Sequence, residues 1–293
     1  MARFEELVGR YVYLTINGVE YRVYFEESGQ GIPFLLQHTA GSDGQQYRRL
    51  MNDEEFTKVF RFIAYDLPFH GKSLPPNSVV WWEQDYKLSL DFLIKFHEAL
   101  MEALEISRPV YMGMSMGGHL AADLAYYKPE AYRACLGLEG SLKAHPNADK
   151  AKNYELLDNP NVNQMSIASH MERFASPYAK EDIRKEIGFI YSNNPPYSLR
   201  GDLNYYMTDH DLTGKAEKID TSKCPLYMFG GTYDNSTPPD NVMEVEKVVK
   251  GAKAIIMQNL GHFCIIEDYE ATKAYLKPVL NEVLVREGLQ PLK

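Results

Sequence analysis

The chain predicts an α/β fold: a mostly parallel sheet covered on both faces, opened by a β-hairpin and interrupted late by a helical insertion. Three observations carry this. Short apolar runs alternate with helix-forming stretches along most of the chain, the pattern of parallel strands with helices packed on both sides. Residues 11–26 alternate about Asn17-Gly18, a strong hairpin signal. The alternation then breaks between about 141 and 221, a polar, helix-like stretch rich in Asn, Pro and Tyr.

The elements follow in order. After the hairpin, IPFLLQHT (32–39) is a short apolar run suited to a buried strand. A helical stretch is expected around 44–60, and FRFIAYDLP (60–68) reads as the next strand. Within 88–106, Leu90, Leu93, Ile94, His97, Leu100, Met101 and Leu104 recur at intervals of three and four, a helix with one mostly apolar face. PVYMGM (109–114) is a strand and GGHLAADLAYYKP the helix after it. YRACLGLEG (132–140), CPLYMFGG (224–231) and AKAIIMQNL (252–260) are three more strands. The last helix, 269–287, is expected to bend or break at Pro278. The domain reading is a core of 1–140 with 222–293 and a lid of 141–221. No internal repeat is visible.

The 293 residues exceed the common single-domain size but suit a large α/β domain with a sizeable core. A formal charge of −9, with no Lys/Arg stripe, argues against a general nucleic-acid binder. Cys135, Cys224 and Cys264 are few and widely spaced, so neither a disulfide framework nor a zinc site is expected. They favour a reducing, cytoplasmic setting. Residues 1–10 carry acidic side chains where a secretion signal needs an apolar core, and no run is long enough to span a membrane.

Gly113-Met114-Ser115-Met116-Gly117 fits G-x-S-x-G at a strand-to-helix handover. A serine there sits on a tight turn, and flanking glycines let other backbone approach. Helix-start N–H groups are left free to face a developing oxyanion. Such a nucleophile needs a base and an orienting acid. Gly261-His262-Phe263 follows the last strand, and Asp234 follows the one before it. The order Ser115, Asp234, His262 matches a serine hydrolase on an α/β sheet. The 28 residues from Asp234 to His262 leave room for one helix and one strand.

Together, LLQHTAGSDG (35–44), YDLPFHGKS (65–73), GMSMGG (113–118), GGTYDNSTPP (230–239) and LGHF (260–263) resemble the α/β-hydrolase superfamily, in its lidded esterase and C–C hydrolase branch. The resemblance implies Ser115 as nucleophile, His262 as base then acid, and Asp234 as orienting acid. It implies backbone oxyanion donors at Met116 and Ala40, with Thr39 as the fallback, because Thr39 stands where that family has glycine. It makes 65–73, with Asp66 and His70, a structural turn. Glu139 is the rival acid, since some members carry theirs after the preceding strand. The implied reaction is hydrolysis of a small apolar or aromatic carboxylic ester without cofactor or metal. Alternatives are C–C, lactone or thioester hydrolysis, or a non-catalytic small-ligand receptor. The expected partner is a small molecule and the expected state a monomer or homodimer.

His38, Thr39, Tyr191, Tyr205 and Phe263 are expected at the substrate pocket. Other lid aromatics, Phe174, Tyr178, Phe189, Tyr197 and Tyr206, either line it or pack the lid down. His97-Glu98 begins H-E-x-x, but Met101 stands where the second histidine should be, which leaves His97 a packing role. Cys264 is expected to be buried near the base.

Overall fold

The Asn-Gly turn sets the first element. In the computed structural model, which describes residues 7–144, 159 and 161–293, Asn17 and Gly18 both take positive φ, 51° and 79°. A two-residue hairpin turn matched to strand twist needs this geometry. It joins β1 (Val8–Ile16) to β2 (Val19–Gly29) in antiparallel register, Ile16 opposite Val19. The other strands are β3 (Ile32–Gln37), β4 (Phe60–Tyr65), β5 (Val110–Met114), β6 (Ala134–Leu138), β7 (Leu226–Gly231) and β8 (Lys253–Met257). They form one sheet ordered β1-β2-β4-β3-β5-β6-β7-β8. β2 runs antiparallel to β4, and every later pairing is parallel. Every residue of β5, β6 and β7 is buried. Successive side chains point to opposite faces, so both faces are covered there.

Helix α1 (Leu90–Ala103) starts at Ser89, whose side chain accepts the Phe92 N–H. Helix α2 (Met116–Tyr127) leaves β5 at Ser115 and packs on β5 and β6. Between β6 and β7 lie α3 (Gln164–Met171), α4 (Glu181–Ser192) and α5 (Pro196–Asn204). The start of this insertion, 145–158 with 160, lies outside the described residues, as does 1–6. Helix α6 (Pro239–Val248) occupies the space between Asp234 and His262.

One expectation fails, and another fails in its stronger form, a break at Pro278. Residues 44–60 form no continuous helix, only one α-turn, Arg48–Met51, between 3-10 turns. Asp43 caps the Gln45 N–H, and Asp53 caps Glu55 and Phe56. Each cap restarts the backbone, which divides the segment. The last helix, α7 (Tyr269–Arg286), runs unbroken through Pro278. An interior proline costs about 3 kcal/mol. Leu276, Val279, Leu280, Val283 and Leu284 are all buried, and at roughly 1.5–3 kcal/mol each they outweigh it.

Candidate active site

The parallel strands bring four chain crossings to one sheet edge. Ser115 follows β5, Glu139 follows β6, Asp234 lies beyond β7 and His262 beyond β8. Ser115 has φ 56° and ψ −111°, a conformation that costs a non-glycine residue energy and is held only by its surroundings. Its N–H donates to Leu138 O at 2.8 Å, and its carbonyl accepts the His119 N–H at 2.8 Å. The flanking glycines are required by close approach. A Cβ on Gly113 would lie 2.4 Å from the Gly117 carbonyl, and one on Gly118 would lie 2.1 Å from Leu138 O. The Ser115 hydroxyl makes no hydrogen bond among the described residues, and the site is nearly closed, with Ser115 7% and His262 6% exposed. Base–nucleophile contacts often tighten only when substrate arrives.

His262 and Asp234 meet directly. Nδ1 of His262 lies 2.9 Å from Oδ2 of Asp234. The other Asp234 oxygen accepts the Ser236 and Thr237 N–H groups at 2.7 and 3.1 Å, which fixes the carboxylate. Glu139 does not touch His262. It is fully buried at φ 53°, and its Oε2 accepts the Gly231 N–H at 2.9 Å. Burial first, then the adjacent Asp234, pushes its carboxyl well above the usual range. His262 is steadied by Glu267, which sequence reading missed. Its carboxylate accepts N–H groups from Gly261 and Phe263, on either side of His262, at 2.8 Å each, and from Ser176 at 3.0 Å.

The loop after β3 supplies the candidate second oxyanion donor. The Thr39 N–H is taken by Gln46 Oε1 at 3.3 Å and its hydroxyl lies 2.7 Å from the Tyr191 hydroxyl. The Gly41 N–H is taken by Asp202 Oδ2 at 2.8 Å. The Ala40 N–H between them has no hydrogen-bond partner among the described residues, whereas that of Thr39, the fallback donor, has one.

The expected pocket residues divide. Tyr191 and Phe263 pack edge to face at 5.7 Å, and the Phe263 ring lies 5.2 Å from that of His262, so these two bridge the β3 loop to the base. His38 is a loop anchor instead. It is fully buried, Nδ1 bonds Thr39 O at 2.7 Å, and Nε2 accepts the Leu67 N–H at 3.1 Å. Burial and the neighbouring His70 lower its pKa to about 3. Tyr205 is committed elsewhere: its hydroxyl donates to Asp123, two turns along α2 from Ser115. Phe174 packs 5.9 Å from the His262 ring, whereas Tyr178 and Phe189 are exposed and Tyr197 packs at a tilt against Trp81. The Tyr206 side chain lies outside the described residues. Cys264 is buried, with Sγ 4.0 Å from Met114 Sδ.

The remaining polar residues have partners of their own. Asp66 accepts the Gly44 and Lys72 N–H groups, both at 2.9 Å, and so staples two loops. His70 donates to Asp202 at 2.8 Å and to Pro68 O at 3.0 Å. His97 lies in the core between the Tyr65 and Tyr132 hydroxyls, the latter at 3.2 Å. Among the described residues no group of three His, Cys, Asp or Glu side chains is placed to hold a metal ion, and no helix is long and apolar enough to cross a membrane.

Comparison with known proteins agrees with this frame. The model of the alpha/beta hydrolase fold family matches residues 32–269. Over 269 residues the chain is 23% identical to Lipase 1 of Psychrobacter immobilis, covering 88% of this chain and 80% of that one. Over 129 residues it is 30% identical to a 2-hydroxy-6-oxononadienedioate/2-hydroxy-6-oxononatrienedioate hydrolase of Burkholderia vietnamiensis, covering 43% and 42%. The crystal structure of a hydrolase from Pseudomonas aeruginosa superposes with a TM-score of 0.78 at 18% identity, covering 92% of this chain and 98% of that one.

Proposed function

From the premise that this chain belongs to the alpha/beta hydrolase fold family, we propose that it is a serine hydrolase of carboxylic esters. The carrying observation is the 2.9 Å contact of His262 with Asp234 at the sheet edge where Ser115 is held at positive φ. His262 Nε2 takes the Ser115 proton as Oγ bonds to the ester carbonyl carbon. The resulting oxyanion faces the Met116 and Ala40 N–H groups. The carbonyl reforms, the C–O bond to the alcohol breaks, and His262 returns the proton to the departing oxygen. Water, deprotonated by His262, then attacks the acyl-enzyme, and the acid leaves with Ser115 restored. Asp234 holds the His262 Nδ1–H throughout.

Phe174, Tyr191 and Phe263 around the base favour an apolar or aromatic acyl or alcohol group. Residues 141–221 act as the lid over this site. Three free, buried cysteines support a reducing, cytoplasmic setting.

The test is turnover of a p-nitrophenyl ester series from acetyl to long acyl chains, with Ser115→Ala beside wild type. Wild type turns over, and the variant falls by about 10⁴–10⁶ in kcat. Activity that survives in Ser115→Ala sinks the reading. The 30% match to the 2-hydroxy-6-oxo-dioate hydrolase favours one second reading, hydrolysis of a C–C bond in such a substrate by the same triad. Loss of a dienoate chromophore without ester turnover would select it.

A further inference from the structure

The loop after β3 is gripped from the insertion. The Tyr191 hydroxyl, on α4, lies 2.7 Å from Thr39 Oγ1. Asp202, on α5, accepts the Gly41 N–H at 2.8 Å. Asn194, between those helices, donates to Asp43 at 3.2 Å and accepts the Gly71 N–H at 2.7 Å. Gly41 itself has φ 67°, and a Cβ there would stand 2.7 Å from the Leu199 Cβ of α5. Backbone contact and hydrogen bond therefore fix the same residue from one helix.

Asp202 is the centre of this grip. It is fully buried, and its oxygens accept the Gly41 N–H, His70 Nε2–H at 2.8 Å and the Tyr86 hydroxyl at 2.9 Å. A buried carboxylate is tolerated only when its lone pairs are satisfied in good geometry. Donors from the β3 loop and from two points of the β4–α1 connection meet that need, so their relative positions depend on Asp202. Core-side support for the loop comes from Gln46, which takes the Thr39 N–H, and from His38, which joins Thr39 O to the Leu67 N–H. Residue 40 thus lies between two neighbours that are both held by inserted helices.

We propose that the insertion builds one arm of the oxyanion hole. Asp202 and Tyr191, by fixing Gly41 and Thr39, set the position of the Ala40 N–H, so that the hole is formed only while α4 and α5 are docked. This rests on the reading of Ala40 as the second oxyanion donor. Asp202 and Tyr191 are positioning residues, and their loss acts on the transition state rather than on access.

The experiment measures kcat and KM on a p-nitrophenyl ester with the full chain, alongside the affinity of a trifluoromethyl ketone, whose adduct with Ser115 carries the oxyanion. Asp202→Ala is expected to lower kcat by about 10²-fold, the cost of displacing or losing one oxyanion donor. Ketone affinity should weaken by a similar factor, with KM changed by less than about three-fold. Asp202→Asn, whose amide oxygen can still accept from Gly41, should recover most of the loss. Tyr191→Phe removes one oxygen and should cost about five-fold in both readouts. If Asp202→Ala does not fold, Tyr191→Phe with an unchanged melting temperature decides. Folded variants that keep wild-type kcat and ketone affinity overturn the proposal. Ala40→Pro, which deletes the N–H itself, separates the layers. If it is as active as wild type, the Ala40 reading fails and the proposal falls with it. If it is inactive while Asp202→Ala and Tyr191→Phe are normal, only the coupling to the insertion fails.

Discussion

Asp234 and Glu139 end neighbouring strands, but only Asp234 reaches His262. Glu139 is turned to the Gly231 N–H instead, and burial and Asp234 push its carboxyl well above its usual range, which disfavours the negative charge that an orienting acid supplies. Asp234→Asn is therefore expected to lower kcat by about 10⁴. Glu139→Gln, which keeps the size of the acid and an oxygen that can accept the Gly231 N–H, should stay within about ten-fold. The kcat of both variants on one ester decides, and the opposite ranking would move the acid to Glu139. The meeting of Ser115, Asp234 and His262 at one sheet edge was legible because each stands just past an apolar β-rich run in a glycine-marked turn. Asp202 and Glu267 were not. A carboxylate in a helix-forming stretch looks like any solvated residue until the fold buries it, and the Asp202–Gly41 bond joins positions 161 apart in sequence.

Among the elements, the elbow between β5 and α2 leaves little room for a side chain. Its glycines are there because the crossing backbones touch, and the tightest contact is at Gly118, 2.1 Å from Leu138 O for an added Cβ. Backbone cannot yield there as a flexible side chain would. Gly118→Ala should cost about 1–3 kcal/mol or more and lower kcat, because moving α2 moves Met116. Thermal unfolding and turnover of this variant check it, and a protein of wild-type stability would mean that α2 can shift freely. All eight strands were readable from sequence, since strands of such a sheet are apolar runs bounded by turns. The stretch 44–60 was misread because its composition suits a helix while Asp43 and Asp53 cap local turns. Capping depends on backbone geometry that composition does not carry. Pro278 misled for the opposite reason: tertiary burial of α7 overrode a local breaker.

For the molecule as a whole, buried titratable groups set stability against pH from two sides. Burial lowers His97 from 6.5 to about 3, and burial with His70 nearby does the same to His38. Both are neutral when folded, so their contribution is present above about pH 6.5 and is lost as pH falls toward 3. Burial and then Asp43 raise Asp66 from 3.8 to about 7. The folded state holds that proton more tightly, so this contribution is complete below about pH 4 and is lost as pH rises through 7. Burial opposes the charge on His70, but Asp202 raises its pKa overall, which adds a loss in the same direction above 6.5. The melting temperature should therefore pass through a maximum between acid and neutral pH. Asp66→Asn should flatten the neutral side, so that its deficit against wild type shrinks between pH 5 and 8. A deficit independent of pH would show that Asp66 ionises normally. The bonds from Asp202, Tyr191 and Asn194 to the loop after β3 also bear on recombination. A helical segment exchanged between relatives is not a detachable module here, because it carries half of a joint whose other half is Thr39, Gly41 and Asp43. A chimera that takes 161–221 from another member must bring matching partners at 39–43, 70 and 86, or it will leave the loop after β3 without these contacts.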